Sequence, residues 1–438
     1  MSEFFHSVTL DSEKCKGCIN CIKRCPTEAI RVRNGKARII SERCIDCGEC
    51  IKICPHHAKL PIFDPLSVLG KYEYKVALPA PTLYGQFNNL DDIEIVLNAL
   101  LKIGFDDVYE VSKGAEIISD CTRKMIAGGK LKYPIISSAC PAVIRLISVR
   151  FPELLENVLP LAAPMDIAAH YAAQKAMEKT GLPREKIGII FISPCAAKNS
   201  AVKNPIGTEA SDVDAVVAIR DVYPKLVSAM DKDNVEYNLA DSGKIGVSWA
   251  KSGGEAAGTL IEHYLAADGI ENVIKVLEDM EDEKFHDLEF VELCACFGGC
   301  VGGVLTVENP FVARARLNSL RKYLPVSTSH INAIPDAVCL TKPIPHAEVF
   351  SLSDDLDEAM NKMKAMETLV DTFPNLDCGS CGAPSCRALA EDIIRGTASE
   401  ADCIFRLREH LNALVDEMSS LSQYIPPPFR KATDTAQE

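Results

Sequence analysis

The chain has 438 residues, 47% of them hydrophobic, and a formal net charge of −14 at pH 7. That length allows about three domains with their own cores, and the acidic balance excludes nucleic acid as an expected partner, because binding phosphates needs a basic surface. No apolar run reaches the ~18 residues that would span a bilayer, and the opening Met-Ser-Glu-Phe-Phe-His lacks the basic and apolar regions of an export signal. A cytoplasmic protein without membrane insertion is expected. Nineteen cysteines in a chain of this size, bunched at ligand spacing, read as metal ligands rather than disulfides. Zinc competes for any Cys-x-x-Cys pair, so each group is weighed by its full pattern.

Residues 1–65 form the first expected domain, closed by the prolines near Lys59–Pro65. Cys15, Cys18, Cys21 and Cys25-Pro26 recur as Cys44, Cys47, Cys50 and Cys54-Pro55, with the same x2, x2, x3 gaps. Neither zinc nor a disulfide requires this duplication with both prolines. The segment resembles the small α+β fold of bacterial two-cluster ferredoxins, in which three thiolates of one run grip one cubane and the fourth reaches the other. On that resemblance one 4Fe-4S cluster takes Cys15, Cys18, Cys21 and Cys54, and the other takes Cys44, Cys47, Cys50 and Cys25. Two adjacent cubes relay single electrons and do no bond chemistry of their own.

From about Lys75 to Leu340, short apolar runs (Ile187–Ile192, Val213–Ile219) alternate with amphipathic stretches (Asp91–Ile103, Ile167–Lys179). This is the α/β signature, and the domain is bounded at 66–350. Four cysteines stand out in it: Cys140 in Ser137-Ser138-Ala139-Cys140-Pro141, Cys195 in Ser193-Pro194-Cys195-Ala196-Ala197-Lys198, and Cys296 and Cys300 in Glu292-Leu293-Cys294-Ala295-Cys296-Phe297-Gly298-Gly299-Cys300-Val301-Gly302-Gly303. Any one of them alone reads as a buried core cysteine. Together they read as separate loops converging on one metal site, where glycine permits close backbone approach to a bulky cofactor and Lys198 is placed to pair with an anionic ligand.

These three segments resemble the signature loops of the FeFe-hydrogenase catalytic domain, over roughly residues 75–345. Phe105-Asp106-Asp107-Val108, Phe151-Pro152-Glu153-Leu154 and Asp212-Val213-Asp214-Ala215 sit where that family has similar segments. The resemblance implies a two-lobed α/β domain with its cofactor in the cleft between lobes. It also implies that Cys140, Cys195, Cys296 and Cys300 hold the cubane of an H-cluster, that Cys300 bridges to a diiron subcluster with CO, CN and azadithiolate ligands, and that Lys198 contacts a cyanide.

The departures carry information too. Where fast family members have a proton-carrying cysteine, this chain has Ala139; Ser193 and Cys294 replace methionines; and a glycine run ending in Gln-Pro becomes Gly303-Val304-Leu305. These changes resemble the sensory groups of the family. A general acid contributes typically ~10²–10⁴-fold, so slow turnover is expected, with His286, Glu289 and Glu292 as candidates for a substitute proton route. Asp120–Arg123 matches the family's acidic relay segment poorly.

A charged linker or helix, Asp354–Thr372, leads to Cys378, Cys381, Cys386 and Cys403 in a small helical 4Fe-4S domain at 351–420, with helical spacing over Ile404–Met418. Cys378 to Cys386 resembles the iron–sulfur domain of redox complexes and corrinoid iron–sulfur proteins; four cysteines alone do not exclude zinc. Cys121 and Cys339 lack partners at ligand spacing and read as core. Residues 421–438 read as a flexible tail. The expected function is a sensory FeFe hydrogenase carrying four 4Fe-4S clusters and a diiron subcluster, which binds or slowly oxidises H2 and passes electrons to a redox or signalling partner. A homo-oligomer is also expected. The rival is a non-catalytic iron–sulfur carrier or cluster-assembly protein on the same fold.

Overall fold

Seven consecutive buried residues, Ile187–Ser193, form the centre of a four-stranded sheet. A run rich in isoleucine and without polar alternation is what a strand covered on both faces requires. The computed structural model describes residues 5–235, 238–422, 424 and 426–429. It divides into two units, the first comprising residues 1–16, 24–29 and 39–349, the second residues 17–23, 30–38 and 350–438. Residues 1–65 are thus shared between them: Cys18 and Cys21 fall in the second unit and the other six N-terminal cysteines in the first.

In the first unit the sheet runs Asp107–Val108, Tyr74–Pro79, Ile187–Ser193, Ala215–Ala218, all parallel. Alternation sends its side chains to two cores. Ala77, Ile190, Ile192 and Val217 pack with Leu97, Leu100, Val222 and Leu226, while Val76, Leu78, Ile189, Phe191 and Val216 meet the opposite helix, Pro164–Thr180. That helix presents Ala168, Ala169, Ala172, Ala173 and Ala176, small enough for close approach. It starts on Pro164 and stops at Gly181, whose φ of 69° ends it in the left-handed region.

A second parallel sheet takes Tyr264–Asp268, Phe290–Cys294 and Ile135–Ile136 in that order. Ile136, Val291 and Leu293 pack on the helices Pro141–Arg150 and Ile270–Glu281; Ile135 and Phe290 pack on Ile117, Ile118 and Cys121. Cys121 and Cys339 lie in or against this last core, close enough that Cys339, after burial and Asp120, helps raise the Cys121 thiol. Buried carboxylates fix the irregular segments between. Glu94 accepts from the amides of Asn238, Leu239 and Ala240, and Glu110 accepts from Tyr84, Ser242 and the Asp241 amide. At the N-terminal strand, Val8–Leu10 pairs antiparallel with Lys59–Pro61, and buried Asp46 accepts from the Ser7 amide, Ser200 and Arg145.

The second unit is built on a hairpin, Ile30–Arg33 with Lys36–Ile39, turned by Asn34 and Gly35, both at positive φ, as a two-residue hairpin turn requires. Its edge is tied to the C-terminal cysteines. The Val32 amide donates to Gly382 O at 2.8 Å and Arg33 donates to Cys381 O at 2.8 Å. Gly382 has no room for a side chain, because a Cβ there would lie 2.0 Å from Val32 O. The helices Leu356–Asp371 and Cys386–Ile394 close a small core around Met366, Phe373 and Leu389. Among the described residues no helix is long and apolar enough to cross a membrane. Most of the expected tail, residues 430–438 included, lies outside the described residues.

Candidate metal centre and its carboxylate pair

In open parallel sheets, ligands bind beyond the carboxyl ends of the strands, and the candidate residues follow four such ends. Ala80–Thr82 follow Tyr74–Pro79, Ser137–Pro141 follow Ile135–Ile136, Pro194–Lys198 follow Ile187–Ser193, and Cys296–Gly303 follow Phe290–Cys294. Together they line one cavity in the first unit. Ala139, Cys140, Cys195, Lys198, Cys294, Cys296 and Cys300 all face it; Ser193 and Glu289 do not. Cys140 and Cys195 each stand just before a helix, Pro141–Arg150 and Ala196–Lys203, where the helix dipole favours an anionic sulfur.

The four thiols sense one another. Burial, then the charges of Cys296 and Cys140, pushes Cys195 up; burial pushes Cys296 up to about 11, and Cys300 rises by burial against the pull of Lys198. Four buried thiolates need a cation to be stable, and one lysine is not enough. Lys198 is 8% exposed and makes no ion pair among the described residues; its ammonium lies 5.7 Å over the Phe191 ring. Burial works against that charge, yet Cys300, Cys195, Cys140 and Asp166 outweigh it and raise the ammonium above its ordinary value. Converging thiols with a buried cation fit an iron–sulfur cofactor that carries anionic ligands.

One glycine of the third loop serves a contact within the protein. A Cβ on Gly303 would come within 2.1 Å of Pro194 O, and the Leu305 amide donates to the same oxygen at 3.0 Å. The absence of a side chain at Gly303 thus lets the second and third loops lock together.

Two carboxylates reach the cavity. Glu255, on the short helix Gly254–Gly258, accepts the Ser137 hydroxyl at 2.6 Å. Glu292 accepts from the amides of Gly253 at 3.0 Å and Ala256 at 2.8 Å, and from the Cys294 thiol at 3.7 Å. Both are raised by burial. Glu255 is also raised by the charge of Glu292, whereas the Ala256 and Gly253 amides and the Cys294 thiol pull Glu292 back. The environments push the two apart, with Glu255 as the acid and Glu292 as the base of the pair.

Of the expected relay residues, the structure brings only Glu292 to the cavity. Glu289 lies just before the N-terminal end of the strand whose far end carries Cys294, and His286 is exposed beside a different hollow, with Lys132 and Glu281. Ser193 is buried and caps the second loop, donating to Cys195 O and accepting from the Cys195 amide, both at 3.0 Å. The helix Val111–Ala127 offers no relay: Ser119 and Thr122 bond back to Ala115 O and Ile118 O, and Asp120 is engaged by Arg123 and the Ile331 amide. Sequence reasoning missed Glu255. Its one signal was an acid inside the small-residue stretch Ser252-Gly253-Gly254-Glu255-Ala256-Ala257-Gly258.

Cys44, Cys47, Cys50 and Cys25 form a second mutually interacting group in the first unit. Cys47 packs against the core that also holds Cys140 and Cys195. Lys52 bridges the groups electrostatically: burial disfavours its ammonium, but Cys296, Glu49 and Cys47 more than offset this. In the second unit Cys381 senses Cys378 and Cys403, and Cys386 begins its helix with its amide donating to Asp377 at 2.7 Å.

Comparison with known proteins places three families along the chain. The family described as iron only hydrogenase large subunit, C-terminal domain, matches residues 73–262 and 229–304; a 4Fe-4S dicluster domain matches 7–55, and an Fe–S cluster family matches 373–405. The NADP-reducing hydrogenase subunit HndD of Solidesulfovibrio fructosivorans is 27% identical over 146 residues, covering 31% of this chain and 25% of that one. Iron hydrogenase 1 of Clostridium pasteurianum is 22% identical over 373 residues, covering 68% of this chain and 64% of that one. The chain therefore spans from a quarter to just under two thirds of the length of these relatives. A variant FeFe-hydrogenase of Chlamydomonas reinhardtii superposes with a TM-score of 0.48 at 16% identity, over 65% of this chain and 98% of that one.

Proposed function

Because the chain belongs to the iron-only hydrogenase large-subunit family, we propose that it is a sensory FeFe hydrogenase that binds or slowly oxidises H2 and passes the electrons through 4Fe-4S clusters to a signalling partner. Four clusters are proposed, held by the two N-terminal cysteine groups, by Cys140, Cys195, Cys296 and Cys300, and by Cys378, Cys381, Cys386 and Cys403. The observation that carries the reading is the buried Lys198 ammonium facing the thiols of three loops that converge on one cavity. When bound, the diiron subcluster with its carbonyl, cyanide and azadithiolate ligands supplies the centre at which H2 is cleaved.

The chain's own residues then do three things. Cys300 and Lys198 hold and orient the group, the first as a ligand and the second as a cation for its anionic side. Glu292, Cys294, Glu255 and Ser137 hold and move a proton along one wall, in place of the thiol that Ala139 lacks. Lys52, between Cys296 and the Cys44 group, keeps that gap electropositive and favours arrival of an electron.

Infrared spectroscopy of cubane-loaded protein supplied with the diiron cofactor tests this. Carbonyl and cyanide bands that shift under H2, and that are lost in Cys300→Ser, are the expected result. Failure to install those bands in fully cubane-loaded protein would favour the carrier or assembly-factor reading.

A further inference from the structure

The helix Ile404–Ser422 has no role in the chemistry above. It starts directly after Cys403 in the second unit, with Phe405 packed against the small core around Phe373 and Leu389. From Leu407 to Leu421 every residue is exposed. A helix of that length without a tertiary face is marginal in water, because most helical stability comes from packing an apolar stripe. Such a stripe is present. Ile404, Leu407, Leu411, Leu414, Met418 and Leu421 are 41–71% exposed and follow one another at gaps of three and four residues without a break. That repeat of 3.5 is the spacing of a coiled-coil seam, whereas a helix lying on a globular core repeats nearer 3.6. Ile404, Leu411 and Met418 take the first seam position of each heptad, and three leucines take the second.

We propose that this helix pairs with the same helix of a second copy of the chain, so that a coiled coil joins two protomers. The seam has no polar or charged member to select a different sequence. The positions flanking it hold one base, one acid, one histidine and one valine: Arg408, Glu417, His410 and Val415. In a parallel pair His410 meets the partner's Val415; in an antiparallel pair it meets the partner's Glu417. Neither arrangement opposes like charges, whereas a dedicated foreign partner is selected by flanking charge of one sign. The outward face mixes Arg406 with Glu409 and Asp416, unlike the basic face of a helix that lies on lipid. Nineteen residues span about 28 Å, a short seam, so the pairing is concentration-dependent. The seam starts beside Cys403, which places the C-terminal cluster site at the mouth of the dimer, and it holds whether or not the diiron group is present.

Sedimentation velocity of the cubane-loaded full chain, kept anaerobic over a concentration series, tests the pairing. The mass should rise from 47.7 kDa toward twice that. Leu411→Glu and Leu414→Glu, both on exposed positions, should each weaken the heavier species by roughly tenfold or more, while Asn412→Glu on the outer face leaves it unchanged; cluster absorbance reports that each variant is folded. A wild-type monomer at every concentration overturns the proposal, as does a dimer that survives both seam substitutions. Flotation of monomer with phosphatidylglycerol vesicles would also overturn it, in favour of a lipid surface.

Discussion

Ser137 donates its hydroxyl to Glu255 at 2.6 Å, and the Ala139 amide donates back to the same Ser137 oxygen at 3.2 Å. The position where the family's fast members keep a thiol is therefore wired to a buried carboxyl, although alanine itself has nothing to contribute. Glu255 and Glu292 are the two acids at the cavity wall, and the proposed proton route uses both.

Glu255→Gln keeps an oxygen to accept from Ser137 but removes the titrating group. Hydrogen–deuterium exchange by the fully loaded enzyme should fall by ~10²–10⁴, the range of a general acid, with carbonyl and cyanide bands retained. Glu289→Gln, away from the cavity, should leave the rate unchanged. Equal effects from both substitutions would remove the special role of Glu255.

The pH dependence of stability has a definite sign. Burial first, and the charge of Glu292 second, raise Glu255 well above its ordinary value of about 4.5. Between that value and the folded one, the native state binds more protons than the unfolded chain, so stability falls as pH rises through this window, by up to ~1.4 kcal/mol per pH unit for one proton. Guanidinium midpoints measured from pH 5 upward should decline more steeply in wild type than in Glu255→Gln. Parallel slopes would show that the proton is not held there.

Much of this site was legible in the amino-acid order, for a physical reason. Thiolate ligands need fixed short spacings within a loop, so Cys296 and Cys300 announce themselves, and Cys140 and Cys195 follow once each is read with its flanking proline or lysine. The runs Ile187–Ile192 and Val213–Ile219 likewise correspond to strands, at Ile187–Ser193 and Ala215–Ala218. What stayed hidden depends on tertiary placement. Glu255 lies far along the chain from Ser137 and gains its meaning only when the helix Gly254–Gly258 is laid beside Glu292. Glu289, just before the strand Phe290–Cys294, and Glu292 within it are three residues apart, too close in sequence to separate, yet only Glu292 lies on the cavity. The association of the hairpin 30–38 with the C-terminal cysteines was equally invisible, since backbone hydrogen bonds such as Val32 to Gly382 leave no side-chain signature apart from the glycine.

That hairpin contact gives a stability prediction confined to the second unit. Asp392 is buried and accepts from Arg31 at 2.7 Å and Arg33 at 2.6 Å. Asp392→Asn leaves guanidinium charge buried without its counter-ion, which costs about 3–5 kcal/mol. Gly382→Ala should act on the same contact, because its backbone has a φ of 78° and no space for a Cβ. Either variant should lose the C-terminal cube, about four iron atoms of roughly sixteen before diiron loading, while the infrared bands of the first unit persist. Zinc in place of that iron would sink the cubane assignment.

Ala139→Cys tests the slow-sensor reading most directly. Alanine's methyl group can neither donate nor accept a proton, so wild-type turnover should be low, and a measured rate of roughly several hundred per second, within the ordinary enzyme range, would contradict it. A cysteine at this position restores a thiol on the cavity wall, but the acids and hydroxyls of the helix Val111–Ala127 are engaged elsewhere: Glu116 accepts from the Gly243 and Thr328 amides, Asp120 from Arg123 and the Ile331 amide, while Ser119 bonds Ala115 O and the Trp249 indole, and Thr122 bonds Ile118 O. The nearest hydroxyl already bonded to the loop is Ser137, which leads to Glu255. The gain from Ala139→Cys should therefore depend on Glu255, reaching up to ~10²-fold, the low end of the general-acid range, in the single variant and vanishing in Ala139→Cys with Glu255→Gln. A gain of the same size in both backgrounds would mean that the thiol delivers its proton by another path, and that Ser137 and Glu255 only brace the loop.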